Sequence, residues 1–288
     1  MSKKPTKKPE VPTTGHTWDG IQEYDNPMPR WWLWCFYLTI IWGIGYAIAY
    51  PAWPGIQSAT AGVLGYSTRG EVAAEIAAAN ARNEAINTRL ASADLSTIAD
   101  DVELNGYATS AGSAVFKTWC AQCHGSGAAG AKGYPNLLDN DWLWGGDIES
   151  IHETVRVGIR TETHDETRYS EMPAFGVFEM LDDTQLDQVA NYVISLSGEP
   201  QDATMVAAGA TLFEENCTSC HGEKGLGDRE QGAPNLADAI WLYGGDFDTV
   251  RETIYGSRFG VMPNWDARLT EAQINAVAVY VHQLGGGE

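Results

Sequence analysis

The chain is short of cysteine, of positive charge and of any strand-like pattern, and each shortage narrows what it can be. Only five of its 288 residues are cysteine, and four of these stand in two copies of one motif, which leaves no pair for a structural disulfide. The fifth, Cys35, lies in an apolar run, where a free cysteine is expected as a small packed hydrophobe. Lys and Arg number 18 against 38 Asp and Glu, for a net charge of -20. Residues 1–53 hold five bases (Lys3, Lys4, Lys7, Lys8, Arg30) and four acids, so the acidity lies in the rest of the chain. Such a surface repels nucleic acid and attracts basic proteins through long-range, salt-sensitive steering.

Charge of either sign is missing altogether from Trp31 to Thr68. Within that stretch Trp31 to Tyr50 is mainly apolar, and as a helix it would span about 30 Å, the thickness of a bilayer core. Trp31, Trp32 and Trp34 at one end and Tyr46, Tyr50 and Trp53 at the other have the placing of interfacial anchors. A cleaved signal peptide fits poorly, because the run is too long and ends in Tyr50-Pro51-Ala52-Trp53 instead of a small-residue cleavage site. Bases precede the run and none lies between Pro51 and Thr68. The positive-inside rule therefore puts the N-terminus in the cytoplasm and the remainder outside a bacterial inner membrane.

The expected organisation is a polar arm at 1–30, a transmembrane helix at 31–53, a linker with a helical spacer at 54–105, and two repeats at 106–198 and 199–288. The spacer, Gly70 to about Leu104, is rich in the helix formers Ala and Glu, but its apolar side chains are too small to form a core of their own.

The repeats carry the chemistry. Cys120-Ala121-Gln122-Cys123-His124 recurs as Cys217-Thr218-Ser219-Cys220-His221, 97 residues later. In Cys-x-x-Cys-His the two thiols can form thioethers to haem vinyl groups while the adjacent imidazole reaches the iron. Two covalently bound haem c groups are therefore expected, on Cys120 and Cys123 and on Cys217 and Cys220. Zinc is a poor alternative at this separation with a His directly after each second Cys. A thioredoxin-like site would need a βαβ pattern, and none surrounds either motif.

The likeness extends well past the motif. Gly112 and Phe116 precede Cys120 by eight and four residues, as Gly209 and Phe213 precede Cys217. Gly and Phe at i and i+4 share a helix face, where the Gly permits a close helix crossing. Pro135 and Trp142 match Pro234 and Trp241 with a common offset of 99. Each repeat closes on an amphipathic helix, with stripes of Leu186, Val189, Tyr192, Val193, Leu196 and of Ile274, Val277, Tyr280, Val281, Leu284. Thr270 and Gln273 have the spacing of a capping box.

His124 and His221 are the proximal ligands by position, and Met172-Pro173 and Met262-Pro263 offer matched thioethers for the sixth position, each expected on its own repeat's haem. A sulfur ligand favours the reduced iron, as suits an electron carrier. The first repeat departs from the second by a longer interval, 30 residues from Trp142 to Met172 against 21 from Trp241 to Met262. His164, within that insertion, is the rival ligand in repeat one. Arg156, Arg160, Arg258, Trp142 and Trp241 are candidate partners of haem propionates.

Each repeat resembles the class I cytochrome c fold. Together with Trp18-Asp19-Gly20-Ile21, Asn26-Pro27-Met28-Pro29-Arg30-Trp31-Trp32 and Tyr50-Pro51-Ala52-Trp53-Pro54, the chain resembles subunit III (CcoP or FixP) of the cbb3-type cytochrome c oxidases. The resemblance implies a mainly α protein with one N-terminal transmembrane helix and two tandem class I cytochrome c domains. It also implies a non-catalytic, electron-transferring role in a proton-translocating oxidase. The partners it implies are a catalytic subunit with haem b and copper, a second membrane-anchored cytochrome c subunit, and a soluble or membrane-bound donor cytochrome c. A free-standing dihaem carrier and a dihaem redox enzyme are the alternatives.

Overall fold

The computed structural model describes residues 11–288. The basic residues Lys3, Lys4, Lys7 and Lys8, on which the expected orientation rests, lie outside the described residues. The chain divides into two compact units, up to Arg82 and from Asn83 onward.

Among the described residues the first unit begins with an antiparallel hairpin, β1 Thr13–Trp18 and β2 Ile21–Tyr24, within the polar arm expected at 1–30. The turn residues Asp19 and Gly20 both take positive φ, 49° and 83°. Asp-Gly between two such runs favours the type I′ turn, so the hairpin follows from local chemistry that composition obscures. Helix α1, Arg30–Ala49, follows Pro29 and has no buried residue. Its mean hydropathy of 1.5 and its length make it long and apolar enough to cross a membrane. Cys35 is exposed on it, because a lone helix has no protein around it to pack a small side chain. After α1 the backbone folds back: Val63 N–H donates to Ile48 C=O at 2.9 Å and Leu64 N–H to Ala49 C=O at 3.1 Å.

Helix α2, Thr68–Ala91, is the expected spacer. Its C-terminal part belongs to the second unit, where Leu90 is wholly buried with Ile98, Leu104, Ala108, Ala272, Ala276 and Val279. Arg89 pairs with Asp101 and Glu103, which fastens the end of α2 to the start of the next long helix.

The second unit is helical: α3 Val102–Val115, α4 Ala121–His124, α5 Ile148–Val157, α6 Asp183–Ser195, α7 Val206–Asn216, α8 Thr218–His221, α9 Phe247–Gly256 and α10 Glu271–His282. A π-helical turn over Phe116–Cys120 links α3 to α4. Asp182 and Gln185 form a full capping box on α6, and the Thr270 N–H donates to Gln273 Oε1 at 2.9 Å on α10.

Packing does not respect the boundary drawn between residues 198 and 199. A Cβ at Gly112 would collide with the Ala276 carbonyl and Tyr280, so α3 crosses α10, the last helix of the other repeat. A Cβ at Gly209 would collide with the Gln188 carbonyl and Tyr192, so α7 crosses α6. The aromatic pairs confirm both crossings: Phe116 with Tyr280 at 5.5 Å and Tyr192 with Phe213 at 5.1 Å between ring centroids. Two cores result. The outer one joins Phe116, Ile151 and Val155 to Trp265, Ile274 and Val277, and the inner one joins Leu186, Val189 and Ile194 to Phe213, Val250 and Ile254. The inner half is one continuous stretch nested inside the outer half.

The reason is degeneracy. Both first helices present Gly and Phe and both last helices present Tyr, so sequence cannot say which pairs meet, whereas a short connection favours antiparallel neighbours. The connection from α6 to α7 is short and is clamped by Asn191, 1% exposed, which accepts from Asp202 N–H at 2.7 Å and donates to Asp187 C=O at 2.9 Å. With α6 and α7 joined, α3 is left to α10.

Candidate haem sites

Each Cys-x-x-Cys-His motif sits on a single helical turn at the end of the Gly/Phe helix, so the crossing that buries Phe116 or Phe213 also fixes the motif's position. In the first site Cys120 packs against the outer core, and in the second Cys217 packs against the inner one. Burial, reinforced by the neighbouring thiol, pushes both Cys120 and Cys217 up to about 11.

His124 Nδ1 lies 3.0 Å from the Pro135 carbonyl and His221 Nδ1 lies 3.1 Å from that of Pro234. A carbonyl only accepts, so each Nδ1 carries the proton and each Nε2 presents a lone pair, the tautomer of a metal-ligating imidazole. Burial lowers both His pKa values, with the carbonyl bonds acting in the opposite direction. The matched Pro residues, an offset in the sequence, are thus the second contact of each histidine.

The methionines are placed crosswise. Met262 packs on the core that holds Cys120, Phe116 and Trp142, and Met172 on the core that holds Cys217, Phe213 and Trp241. Each repeat is expected to supply its own methionine, whereas in the structure Met172 packs with the second motif's core and Met262 with the first's. Each is held by the repeat opposite its own. Met262 and Ile159 exchange two backbone hydrogen bonds, of 2.9 and 3.0 Å. The Ser257 hydroxyl donates to the Met172 carbonyl, and Gly176 N–H donates to Tyr255 C=O at 3.0 Å.

The other candidates separate clearly. His164 Nε2 lies 3.1 Å from Asp266, and its Nδ1 accepts from Glu166 N–H at 3.1 Å, so both ring nitrogens are engaged away from Met172. Arg156 is committed to Glu153 and Glu166, Arg160 to the carbonyls of Gly260 and Ser170, and Trp142 Nε1 to the Gly286 carbonyl. Among the described residues three buried donors have no partner: Trp144 Nε1, Arg168 Nε and Arg258 Nη1. Such unpartnered groups fit a chain that receives an anionic prosthetic group. Trp144 and Arg168 are not among the residues that the motifs single out. A signal for Arg168 does exist, since it precedes Met172 by four residues as Arg258 precedes Met262.

A membrane-anchored chain with two cytochrome c domains is the class that this fold and these motifs define. The sequence matches the N-terminal domain of cytochrome oxidase-cbb3, FixP, over residues 10–57, cytochrome c oxidase, cbb3-type, subunit III, over 108–193, and cytochrome c over 206–285. It is 64% identical over 290 residues to the cbb3-type cytochrome c oxidase subunit CcoP of Cereibacter sphaeroides, covering all of both chains. It is 53% identical to the CcoP subunit of Rhodobacter capsulatus, again over all of both, and 52% identical to the FixP subunit of Sinorhizobium medicae over 96% of each. The chain belongs to the CcoP/FixP family, subunit III of the cbb3-type cytochrome c oxidases.

Proposed function

We propose that this chain holds two haem c groups and passes electrons from a donor cytochrome c to the catalytic subunit of a cbb3-type oxidase, from the outer face of the inner membrane. The first haem would be attached through Cys120 and Cys123, with His124 and Met262 on its iron. The second would be attached through Cys217 and Cys220, with His221 and Met172. The observation that carries this reading is the twofold meeting of a Cys-x-x-Cys-His turn with a methionine in one apolar core. Haem iron supplies a one-electron couple between its ferric and ferrous states.

The residues do the rest. Pro135 and Pro234 fix the histidine tautomers, the Ile159 backbone and the Ser257 hydroxyl set the methionines, and the two cores exclude water. With His and Met on both irons no metal position is open, so oxygen is reduced in the catalytic subunit and not here. Helix α1 supplies the anchor, through which the chain would meet that subunit and a second membrane-anchored cytochrome c. The acidity of the haem-bearing part favours a donor with a basic face.

Purification from the membrane on this chain should recover haem b and copper, with two covalent haems per chain, and neither c haem should bind CO when reduced. Recovery of the chain alone would favour a free-standing carrier, and stoichiometric CO binding at a c haem would favour a dihaem enzyme. Donor reduction rates should fall as salt rises, and rates indifferent to ionic strength would contradict the basic-donor reading.

A further inference from the structure

The three unpartnered donors are not scattered. The Arg168 guanidinium lies over the Trp144 ring, 5.4 Å from its centroid, and the Arg258 guanidinium lies over the Tyr243 ring at 5.7 Å. Trp144 and Tyr243 are equivalent by the offset of 99, and each arginine stands four residues before its methionine. The interval from aromatic to arginine is 24 residues in one repeat and 15 in the other, yet both contacts form. The extra residues are looped out and the stacked pair is kept.

The surroundings match too. The Trp144 ring lies against Gly232, and the Tyr243 ring lies against Gly133. Both glycines have positive φ and are equivalent by the same offset, just before the prolines whose carbonyls accept from the histidine Nδ1–H groups. Arg168 is held by the carbonyls of Trp144 and Ser150, both at 3.2 Å, which belong to the walls of the first site. The nearby carboxylates, Glu153 and Asp147, make no hydrogen bond to it, and burial lowers its pKa. Arg258 is held by Glu252, on the helix that walls the second site, and keeps Nη1 free.

A guanidinium N–H buried without an acceptor loses its hydration for nothing, and a carboxylate is its strongest complement. We propose that Arg168 with Trp144, and Arg258 with Tyr243, are the seats of the haem propionates, the first pair serving the haem at Cys120 and the second the haem at Cys217. This rests on the two-haem reading above. Each arginine then does two things: it neutralises a propionate, and it ties that carboxylate to the segment leading to a methionine that packs on the other haem site. A change at one seat therefore has a short covalent path to the neighbouring ligand.

The test is redox titration of both c haems in the purified oxidase carrying R168Q or R258Q, with covalent haem counted alongside. R168Q should lower the midpoint of the haem at Cys120, and R258Q that of the haem at Cys217. The expected shift is about tenfold in the reduction equilibrium, ~59 mV for one electron. Each variant should also give its haem a pH-dependent midpoint, because a propionate without its cation is protonated more readily. R168K and R258K should recover part of the shift. R156Q removes a guanidinium that, unlike those of Arg168 and Arg258, has no buried nitrogen left without a partner, and it should leave both midpoints in place. Two attached haems with unmoved, pH-independent midpoints in R168Q and R258Q would overturn the seats, as would R156Q matching their effect or both variants moving the same haem. Fewer than two covalent haems in the unmutated chain would instead overturn the two-haem reading.

Discussion

The two halves of the haem-bearing unit build the same site with different means, most visibly where each grips the other's methionine. Gly158 and Ser257 are equivalent by the offset of 99 and follow α5 and α9 with positive φ, 71° and 53°. Glycine takes that conformation freely, and a Cβ at 158 would press on the backbone of Met262 and Asn264, so bare backbone is required there. Serine takes it with strain, and its hydroxyl reaches the Met172 carbonyl. One half holds its neighbour's methionine by a pair of backbone bonds, the other by a side chain on a strained residue. A duplicated sequence can keep a function while changing the contact that supplies it.

The largest effect is expected from deleting a methionine in chains that carry one haem. With Cys217 and Cys220 replaced by alanine, Met262→Ala should abolish the low-spin His/Met spectrum of the remaining haem and Met172→Ala should leave it. With Cys120 and Cys123 replaced, the two variants should exchange roles. Loss of the first haem's spectrum on Met172→Ala would mean that each repeat supplies its own ligand after all.

Helix crossing comes next in size. Gly112→Ala and Gly209→Ala each force a methyl into a carbonyl across the crossing, which should cost about 1–3 kcal/mol in chemical denaturation. Gly112→Ala should loosen the outer half and Gly209→Ala the inner half, as read by which haem loses its methionine first on heating. Smaller effects are expected at the grips. Ser257→Ala keeps the strained φ and loses the hydroxyl bond, at about 1 kcal/mol, whereas Gly158→Ala adds both strain and a clash and should cost more. Equal costs would show that the two grips are interchangeable.

The smallest is a pH effect confined to one half. Asp141 is raised to about 6 by burial and by Asp238 and Asp139, with Arg229 opposing, and its equivalent in the second repeat is Ile240. A carboxyl that is harder to ionise in the folded state than in the unfolded one weakens folding as pH rises from about 4 to about 6. Asp141→Asn should therefore raise the melting temperature at pH 7 and flatten its pH dependence in that window, and Ile240→Asn should do neither.

Much of this is legible in the sequence. The Cys-x-x-Cys-His runs, the prolines behind them and the Gly/Phe and Tyr faces are local or periodic signals, and each names a residue and the face it presents. The capping box at Asp182 and Gln185 and the Asp19-Gly20 turn are equally local but fainter, the first because it lacks the usual Ser or Thr, the second because the Lys/Pro/Thr-rich start around it suggests no structure. Arg168 is hidden by the insertion, which shifts it against Trp144 while leaving it in register with Met172.

The apolar helix, the duplication, the two Cys-x-x-Cys-His runs and the helix faces are all read directly from the residues, because hydrophobic length, repeat offset and side-chain period are properties of a single stretch of chain. Which faces meet is settled in three dimensions. Two equivalent sets of complementary helices can pair within repeats or across them, and the choice falls to the α6–α7 connection and its Asn191 clamp. That choice brings Met262 to Cys120 and Met172 to Cys217, and so makes one unit out of what reads as two.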